Sequence, residues 1–323
     1  MIKFGIIGAG HIANRFAQSL ANFPDAELYA ISARSMDKAR AFQQQHPSEL
    51  IYDHYQALLD NPQVQIVYVS LPHGLHREWV LKALDAGKAV LCEKPAGINA
   101  QQTQDIIDKA REKQLFFMEA MKNRFTPAYQ KIKELVQDGA IGQLINIQAA
   151  FCRILPESQA TYHYQPIQGG ALLDMGIYDI SLVEDFFKGP LTIGQVDYKM
   201  HENGIEIYAQ AQLLGDNFSA QVTAAFDRDA PTSAVLTGSK GIITIENFHR
   251  PQSFKLQTIE ENQEFNLPYQ HDDFHGEIQE SIGAIKSNIN ESPVMSLRDS
   301  ITCAKLIDAI KNKMPDSQAK QNS

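Results

Sequence analysis

Long apolar runs are missing from this 323-residue chain, whose most hydrophobic stretches last only a few residues, as in Ile66-Val67-Tyr68-Val69. A membrane-spanning helix needs roughly 20 such residues, so no membrane partner is expected. Cysteine is scarce as well. Cys92, Cys152 and Cys303 are odd in number and far apart, without the paired spacing of a zinc site or the even count of a disulfide framework. They are expected as reduced, mostly buried thiols. No block of Lys or Arg occurs, and 29 basic against 38 acidic residues give a net charge of -9. Nucleic acid needs a dense basic face to displace its counterions, so a small molecule is the expected partner instead. The opening Met1-Ile2-Lys3-Phe4-Gly5-Ile6-Ile7-Gly8 holds one basic residue before a glycine-punctuated strand, unlike a signal peptide. A cytoplasmic chain is expected.

What is present is enough apolar material, 44% of residues, for more than one core. Single cores stop growing at roughly 250–300 residues, which predicts two domains. Up to residue 121, short β-branched runs at 3–7, 27–32, 66–71, 89–92 and 115–118 alternate with stretches of helical periodicity at 12–22, 36–46, 55–60, 76–86 and 100–113. Strand-helix alternation with short links predicts a doubly wound parallel sheet of Rossmann type over residues 1–121. From residue 122 the texture changes. A helix at 127–138 precedes alternating runs at 144–151, 192–199, 206–213, 218–225, 234–236 and 242–246, punctuated by turns such as Gly215-Asp216-Asn217. This predicts an α+β domain over 122–323 on an open, mostly antiparallel sheet. Two helices at 276–288 and 297–313 close it, and the polar tail from residue 315 reads as frayed. Few helices remain to cover the second face of that sheet, so pairing with another copy, as a homodimer or homotetramer, is expected.

Gly8-Ala9-Gly10-His11-Ile12-Ala13 follows the first strand and opens a helix. Gly8 allows the tight turn, Gly10 lets a pyrophosphate approach the backbone, and Ala13 takes the third glycine's place where helix meets strand. Gly8, Ala9, Gly10, His11 and Ile12 are therefore candidate cofactor contacts. At the end of the second strand, where an NAD site puts Asp or Glu, the chain reads Ile31-Ser32-Ala33-Arg34-Ser35. Arg34 with Ser35 suits a ribose 2′-phosphate, because guanidinium binds phosphate in a fork and stacks on flat rings. NADP is expected, with NAD as the alternative dinucleotide and a solvated Arg34 as the plainer reading.

Two further motifs carry chemistry. The run Ala89-Val90-Leu91-Cys92 ends in Glu93-Lys94-Pro95, and strand carboxyl ends line the ligand crevice of an open α/β sheet. A lysine there either is simply solvated or bonds ribose and substrate hydroxyls and lowers the pKa of a nearby acid. The second motif, Gly169-Gly170-Ala171-Leu172-Leu173-Asp174-Met175-Gly176-Ile177-Tyr178-Asp179, places Asp174 and Tyr178 four apart on one helical face. From spacing alone the pair could equally cap and pack a helix. Beside Lys94 it becomes a proton-transfer set, since a tyrosine with an ordinary pKa near 10 needs a neighbouring cation to act near neutrality.

Together with Ala33-Arg34, Met118-Glu119-Ala120-Met121 leading to Arg124-Phe125, and Glu291-Ser292-Pro293-Val294-Met295, these motifs resemble the glucose-fructose oxidoreductase/inositol dehydrogenase/rhizopine-catabolism (Gfo/Idh/MocA) family along nearly the whole chain. Within it the chain is most similar to the dimeric dihydrodiol dehydrogenase branch, which also oxidises D-xylose with NADP. The resemblance implies a Rossmann domain and a second domain whose open sheet pairs with another subunit. It also implies that Lys94 is the active-site lysine, Tyr178 the acid/base and Asp174 the active-site aspartate. Ser70, Leu71, Pro72, His73 and His76 match the segment passing the nicotinamide side of the cofactor, joined at the next strand end by Glu93 and Lys94. His76 could equally start a helix facing solvent. The sequence departs from the branch where an aromatic residue lines the substrate pocket: here stand Lys122 and Asn123, which favours a polyhydroxylated or anionic substrate over an aromatic diol. Lys122, Arg124 and Tyr178 are candidate substrate contacts, with Arg124 alternatively a tie between domains. His271-Asp272-Asp273-Phe274-His275 has metal-compatible side chains, but adjacent loop residues match preorganised sites poorly, and no metal is expected. The expected reaction is hydride transfer between a nicotinamide and a carbinol carbon. A non-catalytic NADP-binding sensor, or a family member using tightly held cofactor for a non-redox reaction, stands as the alternative.

Overall fold

Strands buried on both faces organise the first sheet of the computed structural model, which describes residues 1–314; the tail from residue 315 lies outside the described residues. In chain order come β1 (Ile2–Ile7), α1 (His11–Leu20), β2 (Ala26–Ser32), α2 (Met36–Gln45), β3 (Leu50–Tyr52), α3 (Tyr55–Leu59), β4 (Ile66–Val69), α4 (His76–Asp85), β5 (Ala89–Glu93), α5 (Ala100–Lys113) and β6 (Phe117–Ala120). All pairings are parallel, in the order β3-β2-β1-β4-β5-β6, the arrangement of a dinucleotide-binding fold. Every residue of the central strands β4 and β5 is buried, which is why they read as continuous apolar runs.

The second unit runs from a 3₁₀ turn, Lys122–Phe125, through α6 (Pro127–Gln137) and β7 (Leu144–Cys152) to a π-helical turn, Leu172–Gly176, that opens α7 (Ile177–Phe186). Then follow β8 (Thr192–Met200), β9 (Glu206–Gly215), β10 (Phe218–Ala225), β11 (Ser233–Gly238), β12 (Gly241–Glu246), β13 (Ser253–Thr258) and β14 (Asn262–Asn266). The sheet order is β14-β13-β12-β11-β7-β10-β9-β8, antiparallel except where β7 meets β10. On one face Ile147, Ala220, Leu213 and Leu236 stand side by side and buried. On the other, register aligns Thr244, Val235, Gln148, Gln221 and Gln212 in one uncharged row across five strands.

The chain then returns. Residues Gln270–Ile301 group with Met1–Met121, and Lys122–Tyr269 with the described residues from Thr302, so the expected boundary at 122 is joined by two more crossings, after Tyr269 and after Ile301. The returning segment holds α8 (His275–Ser287) and the start of α9 (Leu297–Lys311). Its loop is fastened to α1: Ser19 donates to Asp272 at 2.8 Å, Arg15 pairs with Asp273, and Phe274 meets Phe16 edge-on at 6.3 Å. The carboxylates of the histidine-aspartate cluster therefore hold a helix. Among the described residues, no three His, Cys, Asp or Glu side chains form a metal-compatible group, and no helix is long and apolar enough to cross a membrane. All three cysteines are buried and unpaired by disulfide.

Arg124 requires a correction. Its side chain is 0% exposed, and its guanidinium donates to Ser181 Oγ at 2.9 Å, the Ser181 carbonyl at 2.7 Å and Glu184 at 2.9 Å, all on α7. A side chain so enclosed braces the core of the second unit and has no surface to offer a substrate. Asp179, one turn earlier on α7, is also fully buried, and neither carboxylate oxygen has a hydrogen-bond partner among the described residues. Burial pushes its carboxyl well above the usual range.

Removing the Arg124 guanidinium takes a fully buried cation away from Glu184 and leaves that carboxylate to Lys188, 3.1 Å away and half exposed. Arg124→Met is expected to lower unfolding stability in urea by about 3–5 kcal/mol; a loss under about 1 kcal/mol would contradict the bracing role. For Asp179 the native state holds a proton that the unfolded chain releases above its ordinary carboxyl pKa of 3.8, so stability falls as pH rises through the window above that value. Asp179→Asn is expected to raise Tm by a few degrees at about pH 8 and by less at about pH 5, with about 2–4 °C per kcal/mol. Equal effects at both pH values would contradict a buried, protonated Asp179.

Candidate functional site

At the end of β1 the backbone turns through Gly8 with φ +102°, where an added Cβ would stand 2.6 Å from the Ser70 carbonyl oxygen. Only glycine fits that approach. The Ser70 hydroxyl lies 3.2 Å from both the Ile7 and Gly8 carbonyls, and Gly8 N–H donates to the Ser32 carbonyl at 3.0 Å. The carboxyl ends of β1, β2 and β4 are thus tied into one platform. Gly10 caps α1 without a side chain, and no heavy atom among the described residues lies within 4 Å of where its Cβ would be. The first turn of α1 also lacks an acidic residue, so its N–H groups and positive dipole end suit a diphosphate.

Arg34 stands exposed just past β2, with Tyr55 near enough to feel its charge; Tyr55 in turn meets Trp79 edge-on at 4.8 Å. The Ser35 hydroxyl accepts the Lys38 N–H at 3.4 Å and so caps α2. No carboxylate stands at residues 33–36.

Glu93-Lys94-Pro95 at the end of β5 is held at several points, and its Lys94-Pro95 peptide bond is cis. Glu93 accepts a short hydrogen bond from Tyr68 on β4, and Ala96 N–H donates to Glu119 on β6 at 2.9 Å. Burial, reinforced by the charges of Glu93 and Glu277, pushes the Tyr68 hydroxyl well above its usual range and keeps it a donor. Of residues 89–97, Lys94 alone is not buried. His76, expected along the cofactor, is instead fully enclosed. Its Nδ1 lies 2.7 Å from the Pro95 carbonyl and its Nε2 2.7 Å from that of Leu71. Burial pushes the ring's pKa down, while both carbonyls and Glu93 oppose the shift. A neutral ring has one N–H and bonds one of these carbonyls at a time. His76 therefore braces the loop after β4 against the lysine turn, with His73, also buried, meeting it edge-on at 5.8 Å.

In the second unit, the π-helical turn carries Asp174 into the start of α7, where Tyr178 is 5% exposed. Such turns within helices are frequent at functional sites. Around Tyr178 stand Phe151 and His249, each at 6.0 Å between ring centroids, and these two stack on each other at 4.4 Å. His163 Nε2 lies 3.8 Å from Asp174 Oδ2. Lys122 is 8% exposed and Asn123 is enclosed in the 3₁₀ turn. His163, His249 and Phe151 went unnoticed in the sequence: single residues in loops or on a strand carry no spacing signal.

Residues 2–121 match the model of an oxidoreductase family with an NAD-binding Rossmann fold (GFO_IDH_MocA), and residues 129–244 match the GFO/IDH/MocA C-terminal domain. The chain is 33% identical over 321 residues to trans-1,2-dihydrobenzene-1,2-diol dehydrogenase of Xenopus tropicalis, covering 95% of this chain and 96% of that one. It is 30% identical over 328 residues to the enzyme of that name from Homo sapiens, covering 96% of each. Among solved structures it is similar to KijD10, a 3-ketoreductase from Actinomadura kijaniata, in complex with NADP and TDP-benzene, with TM-score 0.87, 30% identity and coverage of 96% and 97%. The chain belongs to the Gfo/Idh/MocA oxidoreductase family.

Proposed function

We propose that the protein is an NADP(H)-dependent oxidoreductase acting on CH–OH groups of small polyhydroxylated substrates: a sugar, a cyclitol or a trans-dihydrodiol. The observation that carries this reading is the open glycine cradle leading into uncapped α1, with Arg34 rather than a carboxylate past β2. When bound, the dinucleotide supplies the hydride donor or acceptor of its nicotinamide ring. The N–H groups at Gly10, His11 and Ile12 receive the pyrophosphate, and Arg34 the 2′-phosphate. Tyr178 and the Lys94 ammonium handle the carbinol proton, and Asp174 orients a substrate hydroxyl. His76 keeps the Lys94 turn in place through its backbone contacts.

Relatives support the chemistry: dehydrogenases named for a trans-dihydrodiol, and a ketoreductase solved with NADP. Lys122, which keeps slight exposure, favours a polyhydroxylated or anionic substrate over an aromatic diol, whereas Asn123 is wholly enclosed and offers a substrate no surface. The uncharged row on the open face of the second sheet suits a partner of the same kind, which supports a homo-oligomer in which that face is covered. Buried, reduced cysteines are in keeping with a cytoplasmic setting.

The function is tested by following NADPH absorbance with aldoses, cyclitols, their keto forms and benzene dihydrodiol, NADP and NAD in parallel. Turnover of a polyol with NADP preferred is expected; no turnover with any member would overturn the reading. Arg34→Ala is expected to raise the KM for NADP about 10–100-fold, as for loss of a charge-assisted phosphate bond, and to leave that for NAD little changed. Equal losses for both would remove Arg34 from the phosphate site. Lys94→Met is expected to lower kcat about 10²–10⁴-fold with NADPH binding retained in a fluorescence titration; undiminished kcat would sink its role in proton handling.

A further inference from the structure

The paired glycines before the π-helical turn have a structural purpose of their own. A Cβ at Gly169 would stand 2.2 Å from the His163 carbonyl oxygen and 2.7 Å from that of Gln165. Both approaches are hydrogen bonds: Gly170 N–H donates to the His163 carbonyl at 2.9 Å and Gly169 N–H to the Gln165 carbonyl at 2.9 Å. The backbone of His163 is thereby bolted to the residues that begin the turn bearing Asp174. Asp174 N–H closes that turn on the Gly170 carbonyl at 3.3 Å.

The ring of His163 is oriented as well. Tyr162 stacks on it at 4.3 Å and 20°, and Phe226 meets it edge-on at 6.0 Å. The Thr161 N–H approaches Nδ1 at 3.4 Å, which favours Nδ1 as acceptor and the proton on Nε2. That nitrogen faces Asp174 Oδ2 at 3.8 Å, an ion-pair distance that a bound substrate can tighten to a hydrogen bond. The two side chains keep 20% and 17% exposure, unlike the enclosed Arg124–Glu184 pair. Other titratable groups on the surrounding elements are Tyr162 and Tyr164 on the loop, Glu206 on β9 beside Gly170, and His201 edge-on to Tyr164.

We propose that His163 is a positioning residue for Asp174: its Nε2–H holds one carboxylate oxygen so that the other is presented to a substrate hydroxyl. This rests on the reading of the protein as a polyol oxidoreductase. His163→Phe keeps the stacking surface and removes the donor, whereas His163→Gln keeps a side-chain N–H. His163→Phe is expected to raise the polyol KM about tenfold, with the NADP KM and Tm unchanged, and His163→Gln to recover most of that loss. A polyol KM in His163→Phe equal to wild type, or equal losses in both variants, would overturn the proposal. A second readout does not need activity: the ¹H–¹⁵N titration of the His163 ring, followed in the whole protein. Its midpoint is expected to fall in Asp174→Asn, because removing the carboxylate destabilises the imidazolium. An unchanged midpoint would dissolve the pair. If no substrate turns over while the midpoint falls, the pair stands and the assignment as an oxidoreductase fails.

Discussion

Close backbone approach, where no side chain fits, is the constraint on which the candidate groups of each unit depend. At Gly8 the end of β1 lies against the Ser70 carbonyl, and that contact aligns the strand ends that form the cradle. At Gly169 and Gly170 a loop turn is seated on the start of the π-helical turn, and Gly170, with φ +110°, also lies against the Glu206 carboxylate. Each approach exchanges a side chain for close backbone contact, between strand ends far apart in sequence at Gly8 and within seven residues of chain at Gly169 and Gly170. Functional groups are then carried on backbone that has little freedom to shift.

Buried polar groups continue this pattern by fixing turns. Tyr68, Glu119 and His76 each grip the Glu93-Lys94-Pro95 turn from a different element, and Arg124 ties the 3₁₀ turn to α7. Left unpaired, such groups would each cost desolvation, so they favour one arrangement of their neighbours over looser alternatives. The consequence for function is division of labour. Enclosed residues such as His76 and Arg124 hold geometry, while partly exposed ones such as Lys94, Asp174 and Arg34 remain able to meet a ligand.

Much of this was legible in the residues. The parallel sheet was visible because β4 and β5 are buried on both faces and lack polar interruption, and the cradle because its glycines sit between a strand and a helix. β14 escaped because an edge strand of sequence Asn-Gln-Glu-Phe-Asn has only Phe265 to pack, on Phe254 at 4.5 Å. β3 is three residues long, too short for any period to register. The return of Gln270–Ile301 to the first unit was invisible since its ties, Asp272 to Ser19 and Asp273 to Arg15, span some 250 residues. For Arg124 and His76 the sequence leaves a ligand-facing role open beside a plainer one, because residue type shows charge and chemistry while burial depends on packing. His163 had no pattern at all; its place follows from the glycines six and seven residues downstream.

Hydride transfer between a nicotinamide and a carbinol carbon is the step that these groups serve. The 4R- and 4S-deuterated epimers of [4-²H]NADPH, each incubated with the purified protein and the keto form of the polyol it turns over, test this directly by NMR and mass spectrometry of the product. One deuterium is expected on the new carbinol carbon from one epimer and none from the other. Product formed without deuterium from both epimers, or with the label lost to solvent, would contradict hydride transfer.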